Sequence, residues 1–296
     1  MSRLLLLSLV LVACGGASAN VDPLGPDAAA PSASDGGAPG SDAATPDAAI
    51  VGGPRVRIRL AIGTEPFTHT DGLSGQTPVA QKIGISGLAL YLSESDTAPL
   101  VVYDLGKSFV LADLTAGKST LLAEVPMRAL RAGRYLRART FISHVEYEVA
   151  TQMHAGGLTT AGTIAGTQAL TDGVSLLGTA RNGGFFHYQF KIGGNPYGAP
   201  SEGDGAPMPV VPEGGGFALR KESGRAFYAY PCDVVVDPAA AGDWSVTMTL
   251  NMDKNFRWAD QSDPGYRAGV WDATPTSFEP VMKFGANAFE LSSIRE

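Results

Sequence analysis

The chain has 296 residues, with 22 basic and 29 acidic side chains and a formal net charge of −7 at pH 7. This acidic balance, with no cluster of Lys or Arg, argues against nucleic acid as a partner. The 37 Gly and 20 Pro, together with 17% charged residues, favour many turns and short strands over long helices.

Residues 1–13 have the three parts of a secretory signal peptide. Arg3 supplies the positive charge, an apolar run covers residues 4–12, and a small residue precedes the cleavage point. Because about 20 apolar residues are needed to cross a bilayer, this run is too short to be a transmembrane helix. We therefore predict a leader that is removed from the mature chain.

Ala13 stands directly before Cys14, and a small residue before a cysteine resembles the lipobox of bacterial lipoproteins. The resemblance implies cleavage before Cys14 and attachment of acyl chains, such as palmitate, to this residue. Acyl chains of this kind hold a protein stably on a membrane. Gly at position 15, where Asp commonly signals inner-membrane retention, indicates an outer-membrane lipoprotein, periplasmic or surface-exposed.

Residues 14–53 are predicted to form the lipidated, disordered linker. After Cys14 this stretch consists almost entirely of Gly, Ala, Ser, Pro and Asp, with five Asp and no Lys or Arg. A segment with so little apolar bulk cannot form a core. We expect it to lift a globular domain, residues 54–296, away from the lipid surface.

Alternation of apolar and polar residues predicts strands with one buried face at 56–62, 185–190 and 244–252. Short apolar runs separated by turn residues predict further strands at 83–92, 99–105, 108–114 and 119–125.

Residues 134–149 form a longer run whose apolar face changes parity. Leu136, Ala138 and Ile142 share one parity, whereas the later apolar residues share the other. Such a change requires a bulge, which we place near residues 143–144. Residues 124–130 are predicted to contain a short helical turn.

Two Gly/Pro-rich stretches, 155–173 and 193–216, are predicted to be long loops. Many short strands joined by turns indicate an all-β fold. We predict an antiparallel β-sandwich, of the immunoglobulin or transthyretin kind, that carries these loops.

Several short motifs resemble those of periplasmic MbnP-like proteins. They are Leu-Ala-Leu-Tyr-Leu-Ser at 88–93, Gly-Gly-Phe-Phe at 183–186, Lys-Ile-Gly-Gly at 191–194, the run at 249–256 and the run at 284–289. The segment 111–135 is similar to other uncharacterised surface lipoproteins. The resemblance implies a β-sandwich and, for some members of that group, copper handling.

The four histidines are the candidate metal ligands. They are His69, His144, His154 and His187. On the predicted strand, His144 shares its parity with Glu146, and an imidazole with carboxylates suits Zn²⁺ or Cu²⁺. The alternative is a solvated polar face on a half-buried strand.

A second candidate site is the loop that contains Trp258, Asp260, Asp263, Tyr266 and Trp271. Its carboxylates are suitable ligands for Ca²⁺, and its aromatic rings are suited to stacking on a sugar. The alternative is an ordinary surface loop with partly buried tryptophans.

No nucleophile elbow, zinc helix, Cys-x-x-Cys pair or dinucleotide fingerprint occurs in the chain. With Cys14 lipidated, Cys232 has no disulfide partner and is interpreted as a small buried apolar residue. The leading hypothesis is a non-catalytic module that binds an unknown ligand or an envelope protein. The alternatives are a copper- or zinc-binding periplasmic protein and an envelope hydrolase whose site assembles in space.

Overall fold

A computed structural model describes residues 53–212 and 216–296 of the chain. The signal peptide, Cys14 and the linker up to residue 52 lie outside the described residues, and the predictions made for them stay predictions. The described part is all-β, as predicted, with one 3₁₀ turn at Met127–Ala129. This turn falls inside the segment for which the sequence predicted helix.

The described residues form 21 strands. They are β1 (Arg55–Ile62), β2 (Ser74–Gln76), β3 (Ala80–Tyr91), β4 (Leu100–Asp104), β5 (Val110–Asp113), β6 (Ser119–Pro126), β7 (Gly133–Ala155), β8 (Leu158–Ala169), β9 (Val174–Leu176), β10 (Thr179–Arg181), β11 (Phe186–Ile192), β12 (Asn195–Pro196), β13 (Ser201–Gly203), β14 (Ala218–Glu222), β15 (Arg225–Val236), β16 (Trp244–Asn251), β17 (Phe256–Trp258), β18 (Asp272–Thr274), β19 (Ser277–Phe278), β20 (Val281–Phe284) and β21 (Ala288–Arg295).

One face of the sandwich is a four-stranded sheet in the order β21-β16-β1-β6. Strands β1 and β16 run parallel, and the other pairs are antiparallel. Every second residue of β1 and β16 is buried, so the alternation read from the sequence is confirmed. These inward side chains supply much of one wall of the core.

The opposite face is a twelve-stranded sheet built around the long strand β7. Ile83 pairs with Val145, but Ile85 pairs with Ile142, so β7 has one extra residue between these pairs. The predicted bulge near residues 143–144 is confirmed. At the same place the second neighbour of β7 changes from β15 to β8, which curls the sheet.

The two large sheets pack through β7 and β15 against β16 and β21. The Thr140 hydroxyl donates to Met248 Sδ at 3.1 Å, and the rings of Tyr230 and Phe289 stack at 4.0 Å. The structure is therefore the sandwich that the sequence predicted. The inward position predicted for Leu136 is wrong, because its side chain is 46% exposed and Tyr135 is buried instead.

The loop predicted over 155–173 is wrong in its main part, because Leu158–Ala169 forms β8. This strand pairs with β7 along its whole length and with β11 on its other edge. Two neighbouring strands satisfy its backbone, and this compensates for a run of small residues with little apolar bulk. The second predicted loop, 193–216, has only the short strands β12 and β13 in its described part.

A three-stranded sheet, β2-β17-β20, lies beside the large sheet and brings Phe256 and Phe284 against Tyr147 of β7. The hairpin of β18 and β19 joins the end of β7 through a parallel pairing of β18. Among the described residues, none of the helical segments has the length and apolar character needed to span a bilayer.

Candidate functional site: an aromatic cavity

The main candidate site is a cavity of about 330 Å³ between the large sheet and the three-stranded sheet. Its floor is formed by the inward residues of β7, β8 and β11. Tyr147, Gly166 and Tyr188 are paired across these three strands. A Cβ on Gly166 would lie 2.4 Å from Tyr147 Cζ, so glycine is what allows the ring to lie over this strand.

Six aromatic side chains line this cavity, and their neighbouring rings form a closed circuit. In order around it, the ring centroids are separated by 6.5 Å for Tyr147–Tyr188, 6.0 Å for Tyr188–Phe278, 5.6 Å for Phe278–Trp271, 4.8 Å for Trp271–Phe256, 5.7 Å for Phe256–Phe284 and 4.8 Å for Phe284–Tyr147. These spacings are those of favourable aromatic pairs. We call this set the aromatic circuit.

One wall of the cavity is the Pro-rich segment 206–210, which belongs to the predicted loop 193–216. Three hydrogen bonds hold this segment and its continuation in place. Gln168 Nε2 donates to the Pro207 carbonyl at 2.8 Å, the Phe284 amide to the Val210 carbonyl at 2.8 Å, and Lys283 Nζ to the Pro212 carbonyl at 2.9 Å. The wall is thus attached to the floor and to β20.

One of the polar residues that line the cavity is Glu279, which follows β19 and is 1% exposed. Its oxygens accept hydrogen bonds from the Gln261 amide at 2.7 Å and the Asp272 amide at 2.8 Å. Burial raises the pKa of Glu279, and the nearby charges of Asp272 and Asp260 raise it further, against the effect of the two amides. The lining of an otherwise largely apolar space therefore includes a residue with a buried carboxylate.

Lys283 also lines the cavity, and its Nζ lies 3.0 Å from Asp71 Oδ2. Asp71 also accepts hydrogen bonds from Arg257 Nε, at 3.0 Å to Oδ2. Burial alone would raise the pKa of Asp71, but the hydrogen bonds from Arg257 and Lys283 hold it well below its ordinary value. The positive charge of Lys283 is therefore already engaged by this carboxylate.

A second cavity, of about 450 Å³, lies on the outer side near β7 and β14, and charged groups line it. Arg137 forms an ion pair with Glu94, and Arg139 Nη1 forms one with Glu222 at 2.7 Å. Since these pairs already neutralise two of its arginines, the aromatic cavity has the stronger features of a ligand site.

The structure brings together only part of the predicted metal set. His144 Nε2 lies 3.3 Å from Glu146 Oε1. The buried His144 ring also contacts the Phe109 ring, with 4.6 Å between the ring centroids. His187 is in the same cross-strand row as Glu146 but two strands away. His69 Nε2 lies 3.1 Å from the Asp253 carbonyl. Within 53–212 and 216–296 there is no group of three His, Cys, Asp or Glu placed to hold a metal ion.

The fourth histidine, His154, lies in a hydrogen-bonded series with a hydroxyl and a carboxylate. Its Nδ1 is 3.0 Å from Thr159 Oγ1, and its Nε2 is 2.7 Å from Asp272 Oδ1. The order of Thr159, His154 and Asp272 resembles that of the nucleophile, base and acid of a catalytic triad. However, neither His154 nor Thr159 lines the aromatic cavity. We interpret the series as the means by which Asp272, which is fully buried, is hydrogen-bonded.

Of the five residues predicted on the ligand loop, Trp271 lines the cavity. Trp258 is 1% exposed, and its Nε1 donates to Asp260 Oδ1 at 3.0 Å. The Tyr266 ring lies near the His154 ring, with 5.0 Å between the ring centroids. Asp263 is exposed. The buried tryptophans are therefore not an exposed surface on which a sugar would stack.

Cys232, on the bulged part of β15, is partly buried, and its Sγ lies 3.5 Å from the Tyr135 carbonyl. Burial raises the pKa of its thiol to about 12, and the charge of Asp233 adds to this effect. The thiol is therefore protonated at neutral pH and is a poor nucleophile.

Most of the aromatic circuit was missed as a site by sequence reasoning. Four of its rings stand on inward positions of strands: Tyr147, Tyr188, Phe256 and Phe284. The sequence signal that could have indicated the site was an excess of large aromatic residues at alternate positions of strands that neighbour a Gly-containing strand.

In comparisons with known proteins, no family model, no curated protein and no solved structure matches the chain. The likeness of its short motifs to MbnP-like proteins stays a prediction. The residues of the site itself are therefore the basis for inferring a function.

Proposed function

We propose that this protein is a non-catalytic binding module of the cell envelope, and that its ligand occupies the aromatic cavity. The observation that carries the proposal is the aromatic circuit, whose six rings line a space of about 330 Å³. Pockets for small molecules are of this size, are lined mainly by apolar and aromatic groups, and contain a few polar groups that orient the ligand. Gln168, Glu279 and Lys283 are the polar groups here.

The design of the fold supports this proposal. The floor of the cavity is formed by three paired strands, and its wall by a loop whose carbonyls are tied to Gln168 and Lys283. A rigid sheet that positions a loop is a common arrangement for binding sites. A ligand of mainly apolar character, with a volume near that of two aromatic rings, suits this space.

The test uses the full-length chain with Cys14→Ala, which has no thiol at the predicted lipidation site, and the neutral probe N-phenyl-1-naphthylamine. We expect its fluorescence to rise on binding. Phe278 lies at the rim with 37% exposure, so Phe278→Ala should weaken binding roughly tenfold without loss of fold. Met208→Trp, which adds a ring to the wall, should prevent binding.

Tyr197→Ala is the matched control, because Tyr197 is 64% exposed and lies outside the cavity. It should bind the probe as the parent chain does. Absence of a saturable fluorescence increase, or equal binding by the Phe278→Ala, Met208→Trp and parent chains, would remove the cavity as the ligand site.

The second part of the proposal is the attachment. We propose that acyl chains on Cys14 hold the domain at the outer membrane, with the linker as spacer. Cells grown with radiolabelled palmitate should yield a labelled mature protein, and Cys14→Ala should abolish the label. An unlabelled product, or label that persists in Cys14→Ala, would contradict this attachment without affecting the cavity.

A further inference from the structure

Two charged residues line the aromatic cavity, Lys283 and Glu279, and they are unequally balanced. Lys283 shares the Asp71 carboxylate with Arg257. The Glu279 carboxylate forms no ion pair with any Lys, Arg or His of the described residues. Its two hydrogen-bond donors are neutral backbone amides.

The charges of two further carboxylates act on Glu279. Asp272 is fully buried and accepts from His154 Nε2 at 2.7 Å and from the Arg267 amide at 2.8 Å. Asp260 accepts from Ser74 Oγ at 2.6 Å and from Trp258 Nε1. Glu279 therefore has one buried and one exposed carboxylate as neighbours, Asp272 and Asp260. A buried carboxylate without a cation is costly unless a partner arrives.

The aromatic rings next to Glu279 also favour binding of a positive charge. Trp271 Nε1 donates to the backbone carbonyl of Glu279 at 3.1 Å, and the Trp271 ring stacks on Phe278. The face of an aromatic ring carries negative charge density and attracts cations, most strongly when water is excluded. Aromatic rings and a carboxylate-bearing residue in the lining of one cavity are thus complementary to an organic cation.

We infer that the ligand of this cavity carries an ammonium group of the quaternary or alkylated kind, seated among the aromatic rings with Glu279 as its counter-charge. The inference rests on the proposed function and adds the chemical class of the ligand. The raised pKa of Glu279, caused first by burial, agrees with it, since no cationic side chain among the described residues pairs with the ionised carboxylate.

The test compares two probes of the same shape, phenyltrimethylammonium and tert-butylbenzene, as competitors of N-phenyl-1-naphthylamine on the full-length Cys14→Ala chain. The cation should bind at least roughly tenfold more tightly than its neutral counterpart, which is the range of a desolvated cation–π interaction. Glu279→Gln should reduce the affinity for the cation roughly tenfold and leave that for tert-butylbenzene unchanged. Glu202→Gln, on the exposed edge strand β13, should change neither affinity.

Phe278→Leu provides a second variant in case Glu279→Gln does not fold, because this rim residue keeps its apolar bulk but loses its ring. This substitution should weaken binding of the cation more than binding of the neutral probe. The inference is overturned if the parent chain binds the cation no more tightly than tert-butylbenzene. It is also overturned if both variants keep the parent chain's preference for the cation. If the naphthylamine binds and neither competitor displaces it, the inference also fails, whereas no naphthylamine binding is the failure of the proposed function.

Discussion

Replacing Asp71 by Asn should destabilise the protein strongly, because it removes the counter-charge of a buried arginine. The Arg257 side chain is 5% exposed, and its Nε and Nη2 atoms donate to both oxygens of Asp71. Arg257 Nη2 also donates to the Leu73 carbonyl at 2.6 Å. Breaking a buried pair of this kind costs about 3–5 kcal/mol, a large share of the ~5–15 kcal/mol by which a domain is stable.

The structure offers a control of the same chemistry in a different environment. Arg134 donates to both oxygens of Asp233 at 2.8 Å and 2.7 Å, but these side chains are 66% and 58% exposed. Asp233→Asn should therefore leave the free energy of unfolding nearly unchanged, because solvent screens an exposed ion pair. Urea unfolding of both variants, followed by tryptophan fluorescence at pH 7, measures the two free energies of unfolding. Equal losses in the two variants would refute the reasoning from burial.

The pH dependence of this effect has a defined sign. The pKa of Asp71 is lowered by folding, so its contribution to stability is fully present above its unfolded pKa of about 4. It is lost as the pH falls from there through the lower pKa of the folded state. The difference in stability between the parent chain and Asp71→Asn should accordingly shrink below pH 4. A difference that stays constant between pH 7 and pH 3 would contradict ionisation of Asp71 as its cause.

Two further predictions concern single positions. Gly166→Ala should lower the free energy of unfolding by about 1–3 kcal/mol and weaken naphthylamine binding, because the new Cβ would displace the Tyr147 ring; unchanged stability in urea would show that the ring is not confined there. In the Cys14→Ala chain, where Cys232 is the one remaining thiol, its reaction with a disulfide reagent at pH 8 should be slow when folded and fast in urea, since burial raises its pKa. Equal rates in both states would contradict this environment.

The all-β class and several individual strands were predictable because their signals are local. In β1 and β16 every second side chain is apolar, and a half-buried strand imposes that period. The bulge near residues 143–144 was predictable for the same reason, since one extra residue reverses the parity of everything that follows. Leu136 was placed wrongly because Tyr135 takes the inward position next to the bulge of β15.

Strand β8 was not predictable from its own residues. It is rich in Thr, Gly and Ala, and it is a strand because β7 and β11 pair with both of its edges. Pairing between distant segments is a property of the tertiary structure, and intrinsic strand preference is weak beside it. The glycine that suggested a loop at position 166 instead makes room for the ring of Tyr147.

The composition and periodicity of the sequence by themselves determined that this domain is a β-sandwich, because burial of one face of a strand leaves a pattern in neighbouring residues. Only the tertiary structure decided where a ligand could lie. The aromatic circuit joins rings between positions 147 and 284, and the burial of Glu279 depends on the amides of Gln261 and Asp272. The cavity forms because distant strands and a hairpin come together. The alternation of side chains along any one strand does not indicate which strands become its neighbours.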